Sequence, residues 1–359
     1  MTRIGLLTSG GDCQSLNATL RGVAKSLYRI YDNLELIGFE DGYKGLIHGQ
    51  FRLMKPSDFS GILTIGGTIL GTSRQPFKLM KVHDEDGFDR VEAMKVTYHK
   101  LGLSCLVILG GNGSQKTANL LSREGLNIVS LPKTIDNDLW GTDMTFGFQS
   151  AVDVATNAID GIHTTAASHG RVFIVEVMGH KAGWLTVHAG IAGGADIILI
   201  PEIPYHIDNV VRAINERTQQ GKRFSILAVA EGAISAEEAS LSKKGLKEKK
   251  NAAVVYPSVA YELGAQITEL TGHEVRVTVP GHTQRGGAPC PYDRVVATRL
   301  GAYAAGLIKQ KTYGCMVCVT SGDIAHVPLG EIAGKLKTVD PKSQLIKEAK
   351  MVGISFGDE

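Results

Sequence analysis

A chain of 359 residues with 43% hydrophobic side chains carries enough apolar mass for two compact domains or one large one, which excludes an intrinsically disordered protein. Its 38 basic and 36 acidic residues are spread along the sequence and leave a formal charge of +2, so no broad field is available to gather nucleic acid or an anionic membrane. No run approaches the roughly 18 apolar residues of a spanning helix. The first residues enter directly into Ile4-Gly5-Leu6-Leu7, so a cytoplasmic protein is expected. The five cysteines are odd in number and scattered, which does not suit a disulfide framework. Cys315 and Cys318 sit in one apolar run with no second pair to complete a zinc site, and read as core residues.

In chain order, short apolar runs ending in Gly, Ser or Asp recur at Ile4 to Leu7, Cys105 to Leu109, Ile128 to Leu131, Val172 to Val177, Ile197 to Ile200, Phe224 to Val229 and Val275 to Val279. Each reads as a buried strand. Segments of helical period lie between several of them. One opens at Ser150, a candidate N-cap, and continues through Val152, Ala155, Ile159 and Ile162. Strands alternating with helices predict an α/β fold with parallel sheets covered on both faces. Ser235 to Asn251, with Lys243, Lys244, Lys247, Lys249 and Lys250, reads as a solvated insertion. The last forty residues or so read as a terminal helix and a short disordered tail.

Ligands of such sheets sit beyond the carboxyl ends of the strands, so the residues that follow each apolar run are the candidates for chemistry. After the first come Thr8-Ser9-Gly10-Gly11-Asp12, and after the second Gly110-Gly111-Asn112-Gly113-Ser114. Glycines there let backbone N–H groups approach an anion, and a following helix N-terminus adds partial positive charge, which together describe a polyphosphate cradle. Neither loop matches the G-x-x-x-x-G-K-[ST] or the full G-x-G-x-x-G pattern, and strand-to-helix glycines also arise from packing alone. The third run leads into Leu131-Pro-Lys-Thr-Ile-Asp-Asn-Asp138. A carboxylate pair two residues apart can present one group to a nucleophile and the other to a metal. Taken alone, the same residues form an ordinary solvated acidic turn. Further strand ends carry Met178-Gly179-His180, Glu231-Gly232, and Pro280 to Gly287. Arg171 and Arg276 begin or lie within strands, and their guanidinium forks, with His282 and Arg285, match the oxygens of a second phosphate.

Six motifs in order, Leu7 to Asp12, Gly67 to Arg74, Gly110 to Ser114, Pro132 to Asp138, Val175 to Gly179 and Pro280 to Gly287, resemble the phosphofructokinases over residues 4 to about 320. The resemblance implies two doubly wound, Rossmann-like parallel-sheet domains with the active site in the cleft. Residues 1–147 with about 285–335 would bind the phosphoryl donor, and residues 148–284 with about 336–359 the sugar phosphate. It implies ATP-dependent phosphorylation of the 1-hydroxyl of fructose 6-phosphate, with Asp136 as general base, Thr134 orienting the reacting groups and Asp138 supporting the metal-linked geometry. Gly10, Gly11, Arg74, Gln75, Gly111, Asn112, Gly113, Ser114 and Lys133 would meet the donor. Thr134, Ile135, Asp136, Met178, Gly179, His180, Glu231, His282, Thr283, Gln284 and Arg285 would meet the sugar phosphate. Arg171 and Arg276 would reach it from a neighbouring subunit of a homotetramer. Magnesium is the implied cofactor, through Asp136 and Asp138.

Three departures qualify that picture. Asn112 stands where ATP-using members have an aspartate, so a direct role for it on magnesium is doubtful. Lys133 resembles a diphosphate contact of pyrophosphate-dependent relatives, whereas Gly113 leaves room for a nucleotide where those relatives commonly carry a carboxylate. Exclusion by a side chain discriminates more sharply than a lysine that repels neither donor, so ATP is expected and pyrophosphate is the alternative, with a non-catalytic sugar-phosphate sensor more remote. Gln50, His163 and Gln220 stand where an effector pocket would carry cations beside Arg21, Lys25 and Lys222, so control by anionic effectors is expected to be weak.

Overall fold

The computed structural model describes residues 1–82, 87–242, 245 and 256–359. The chain divides into two compact units, Met1–Ser150 with Arg285–Lys337, and Ala151–Gln284 with Thr338–Glu359. The lysines of the 243–250 cluster lie outside the described residues; before them, Ser235 caps a short helix, Ala236–Ser240, through a bond from Glu238 N.

The first unit is built on strands β1 (Thr2–Ser9), β2 (Leu34–Phe39), β3 (Phe51–Met54), β4 (Cys105–Gly110) and β5 (Ile128–Pro132). The second contributes β6 (Val172–Val177), β7 (Ile197–Leu199), β8 (Ser225–Ala230) and β9 (Val275–Thr278), and the chain then returns to the first with β10 (Cys315–Thr320) and β11 (Asp323–Pro328). The first sheet runs β11-β10-β5-β4-β1-β2-β3. Its five inner strands are parallel, as the apolar runs at β1, β4 and β5 predict, but β3 and β11 pair antiparallel at the two edges. Those edge strands are short and mostly not buried, so neither the long apolar run nor a strict alternation marks them.

Among the described residues, the helices of eight residues or more are α1 (Leu16–Ile30), α2 (Arg90–Lys100), α3 (Asn112–Arg123), α4 (Phe148–His169), α5 (Trp184–Ala192), α6 (Ile207–Gln219), α7 (Val259–Thr271), α8 (Pro291–Lys309) and α9 (Gln344–Met351). On one face of the first sheet, Leu7, Phe39, Leu106, Ile108 and Ile128 pack with Met94 and Tyr98 of α2 and Ala118 and Leu121 of α3. The alternate positions Leu6, Val107, Val129 and Leu131 are equally buried and point the other way, as a period of two requires. Helices α1 and α8 approach each other closely. A Cβ on Gly22 would come within 3.0 Å of the Thr298 carbonyl oxygen and one on Gly301 within 2.6 Å of Val23 N, so only hydrogen fits at that crossing.

The second unit has the all-parallel order β7-β8-β6-β9. Ile174, Leu199, Leu227 and Val229 pack with Val210 and Ile214 of α6 and Leu263 and Ile267 of α7.

Two expectations are corrected. Ser150 is no N-cap: α4 starts at Phe148, and Ser150 instead donates its hydroxyl to Asp293 Oδ2 at 2.5 Å and accepts from Cys290 N at 3.0 Å. The tail after α9 is not disordered. Ser355 bridges to Ile197 beside β7, Ser355 O accepts from Ile198 N at 2.9 Å, and Phe356 is 1% exposed.

Candidate active site

Strands β5, β4 and β1 are neighbours, so the loops at their carboxyl ends converge within the first unit. The chain leaves β1 toward β2 on one side and lies on β4 and β5 on the other. The gap between β1 and β4 is therefore the switch point at which open parallel sheets bind ligands. From β1 comes Gly10, with φ of +87°, a conformation costly for any residue with a Cβ. Its N–H donates to Ser73 O at 3.1 Å and its carbonyl accepts from Thr72 Oγ1 at 2.7 Å, while Thr8 Oγ1 donates to Gly71 O at 2.7 Å. These bonds lace the Gly67–Arg74 segment to the first loop and leave Arg74 exposed and Gln75 half-buried beside it.

From β4 comes Gly111, the N-cap of α3, whose first turn, Asn112, Gly113 and Ser114, carries no acidic residue. Its free N–H groups and partial positive charge are those of an anion site. Ser114 Oγ bonds to Ser9 Oγ at 3.0 Å and Ser114 O accepts from Tyr43 OH at 2.9 Å, which ties this turn to the end of β1. Gly113 differs from the glycines that packing requires: its backbone is not left-handed, and an added Cβ would meet nothing within 4 Å. Asn112 directs its amide nitrogen to Lys335 O at 2.8 Å, leaving only its oxygen for a metal or a water.

From β5 come the residues of the acidic turn. Thr134 Oγ1 accepts from Asp136 N at 3.0 Å, so the hydroxyl fixes the backbone that presents Asp136. Thr134 O accepts from Thr145 Oγ1 at 2.8 Å. Asn137 has φ of +49° and its side-chain oxygen accepts from Thr145 N at 3.1 Å, closing the turn. Asp136 is half-buried and Asp138 is 8% exposed. The Ile135 side chain is fully buried, so only its backbone can meet a substrate. Lys133 is 3% exposed and donates to Gly11 O; burial lowers its pKa, Arg285 adds to the lowering, and Asp136 and Asp12 oppose it.

Arg285 belongs to this unit and lies against the first loop. Its Nη1 donates to Asp12 O at 2.9 Å, a Cβ on Gly11 would come within 2.9 Å of Nη1, and the buried Nε has no hydrogen-bond partner among the described residues. A buried guanidinium N–H without an acceptor is a place for an anionic oxygen. The segment after it is anchored by Asp293, fully buried at the start of α8, which accepts from Ser150 N at 2.9 Å and whose pKa burial raises. Burial likewise pushes the Cys13 thiol up to about 12, which keeps it in the protonated form.

The second unit assembles the other set. At the carboxyl ends of the adjacent strands β8 and β6, the Glu231 carboxylate accepts from Gly179 N at 3.3 Å and His180 N at 2.8 Å. His180 has φ of +51°. Gln284, fully buried, receives Met178 N at 3.2 Å and donates to Gly281 O at 3.0 Å, so its side chain braces the loops and does not face solvent. His282 and Thr283 are exposed, with Thr283 Oγ1 donating to Pro280 O at 2.7 Å. Arg171, just before β6, and Arg276, on the adjacent strand β9, both form ion pairs with Glu274.

Residues that the sequence did not single out hold these loops. Asn17 accepts from Ile69 N at 2.7 Å and donates to Ile65 O at 3.1 Å, beneath the Gly67–Arg74 segment. Lys337 donates to Asn137 Oδ1, Thr142 O and Asp143 O at 3.1, 2.8 and 2.9 Å, and burial lowers its pKa to about 8 against the pull of Asp143 and Asp138.

Comparison with known proteins bears on both loop sets. A family model described as phosphofructokinase matches residues 3–308. An ATP-dependent 6-phosphofructokinase of Spirochaeta thermophila is 57% identical over 99% of this chain and 97% of its own. An ATP-dependent 6-phosphofructokinase 3 of Bacteroides thetaiotaomicron is 46% identical over 99% of this chain and all of its own. The solved phosphofructokinase of Saccharomyces cerevisiae superposes with a TM-score of 0.79 at 30% identity, covering 92% of this chain; this chain spans 45% of that longer one.

Proposed function

The chain belongs to the phosphofructokinase family, and from that premise we propose that it transfers the terminal phosphoryl group of ATP to the 1-hydroxyl of fructose 6-phosphate, a step of glycolysis in the cytoplasm. The observation that carries the reading is the convergence, at the ends of three neighbouring strands, of a glycine-lined helix N-terminus and the turn bearing Asp136 and Asp138, with a half-buried arginine, whose buried Nε has a spare N–H, lying against the first loop. Phosphoryl transfer needs little covalent chemistry from a protein, and these parts supply what it does need, position and compensation of charge.

The first unit takes the donor, its phosphates lying on the N–H groups of Gly11 and Gly111 to Ser114, with Arg74 and Gln75 alongside. The second takes the sugar phosphate through Met178 to His180, Glu231, His282 and Thr283. Asp136 accepts the proton of the sugar hydroxyl as its oxygen bonds to the γ-phosphorus and the bond to the ADP oxygen breaks. Thr134 holds the Asp136 backbone in place for that transfer, and Arg285 meets charge on a phosphate.

Magnesium suits the oxygen donors here. Among the described residues no group of three or more His, Cys, Asp or Glu side chains is arranged to cage a metal, and magnesium characteristically takes one or two carboxylates and fills its shell with phosphates and waters. Asp136 and Asp138 would hold the ion, which when bound neutralises charge on the donor phosphates; the Asn112 oxygen would act through water.

Asp136→Asn tests the assignment. The amide keeps the shape and loses the base, so turnover falls by roughly 10²- to 10⁴-fold with the KM for fructose 6-phosphate nearly unchanged; near-normal turnover sinks the role. Feeding ATP and pyrophosphate separately to the purified protein in an aldolase-coupled assay settles the donor, and faster turnover with pyrophosphate would reverse the choice made from Gly113.

A further inference from the structure

We propose that Lys337 is a positioning residue of the phosphoryl-transfer centre, pinning from behind the turn that carries Asp136 and Asp138. The three residues Lys335, Leu336 and Lys337 form a strap across the first unit. Lys335 O receives the Asn112 amide at 2.8 Å, at the first turn of α3, and the Lys335 ammonium lies 5.9 Å from the Trp140 ring centre. Leu336 bridges to Leu139, and Lys337 N donates to Asp138 O at 2.9 Å.

The ammonium then makes the bonds to Asn137 Oδ1, Thr142 O and Asp143 O. An ammonium has three N–H groups and no acceptor, so this set matches it donor for acceptor. The same Asn137 oxygen also takes Thr145 N, and Thr145 Oγ1 returns to Thr134 O. Thr134, Asn137, Thr145 and Lys337 are therefore one network, and Asp136 and Asp138 lie on either side of Asn137 within it. Removing the ammonium strips charge-assisted bonds from three oxygens that face it, and the turn can relax by shifting both carboxylates. A base misplaced by about 1 Å costs on the order of a hundredfold in rate. Met178 to His180, Glu231, His282 and Thr283, which are proposed to hold the sugar phosphate, belong to the second unit, so its binding is expected to change little.

The inference rests on Asp136 being the base. Lys337→Gln, which can still donate to two of the three acceptors, and Lys337→Met, which can donate to none, are compared with the wild-type chain for kcat, KM and thermal melting. The expected result is a loss in kcat of about a hundredfold for Lys337→Met and a smaller loss for Lys337→Gln, with the KM for fructose 6-phosphate within about threefold. A purely structural lysine would instead lower the melting temperature and leave kcat per folded molecule alone. Aminoethylation of Lys337→Cys with bromoethylamine, with treated wild type as control, returns an ammonium to the site and should restore most of the lost kcat. A folded Lys337→Gln with kcat within about twofold of wild type, or a fully alkylated Lys337→Cys whose kcat does not rise, overturns the proposal. If Asp136→Asn also keeps its turnover, the reading of the base has failed as well; if it is silent while Lys337→Gln is normal, only the positioning role has failed.

Discussion

Gly113 and Lys133 stand on opposite sides of the donor question, and their surroundings differ. Lys133 is buried and tied to the Gly11 carbonyl, so its charge supports the first glycine loop from beneath. Gly113 faces open space in a helical conformation that any residue adopts. Neither packing nor backbone strain accounts for the missing side chain, and the proposed approach of the donor supplies a reason for it. Gly113→Asp should therefore fold normally, with stability within about 0.5 kcal/mol of wild type as for an unconstrained surface site, and a first-turn carboxylate even suits the helix dipole. Its KM for ATP should rise by at least about tenfold, the equivalent of about 1.4 kcal/mol of lost binding. Unaltered ATP kinetics in the folded variant would show that the donor does not pass this position.

At the scale of elements, Glu202 closes the place where the chain re-enters the second unit. Its carboxylate accepts from Gly183 N at 2.9 and 3.0 Å, at the start of α5, and from Val339 N at 2.9 Å, just after Thr338. Burial nevertheless raises its pKa above the ordinary 4.5, with those N–H bonds opposing. A carboxyl whose folded pKa is raised stabilises the fold fully below its ordinary pKa and loses that contribution as pH rises through the folded value. The stability of wild type relative to Glu202→Gln should therefore fall as pH rises above the ordinary carboxyl value of 4.5 in urea unfolding; a difference that is flat or rising with pH contradicts the assignment.

The same elements show what a sequence can carry. The inner strands were legible because burial on both faces leaves an unbroken apolar run, and the strand-end loops because glycine and aspartate mark them. Strand β2 is also parallel and internal, yet Leu34-Glu35-Leu36-Ile37-Gly38-Phe39 mixes a charge and a glycine into its run. Ser150 looked like a helix cap because its real partner, Asp293, is 143 positions away. Lys337 gave no signal for the same reason: its acceptors lie 194 to 200 positions earlier, and nothing in Lys335-Leu336-Lys337 says which turn it will cross. Phe356 and Ser355 close a strand edge that only the folded sheet creates. Local chemistry was readable, and long-range bracing was not.

For the whole molecule, the two arginines of the second unit bear on assembly. Arg171 and Arg276 share Glu274 within one chain and remain partly or largely exposed. If they complete a neighbour's sugar-phosphate site, chains damaged in different places can repair each other. Mixing Asp136→Asn with Arg276→Ala under conditions that exchange subunits should give more activity than the two separately, because some sites then combine an intact base with an intact arginine. Activity no greater than the sum would place Arg276 in its own chain's site or in none.

Both units are assembled from separated stretches, the first needing residues 285–337 after the whole of the second unit's main stretch, and the second needing Ser355 to Gly357. During synthesis, then, neither can finish in the usual order, amino end first. The strap at residues 335–337 is made only after the whole of residues 151–284, so the acidic turn of the first unit stays unbraced while the main stretch of the second is synthesised.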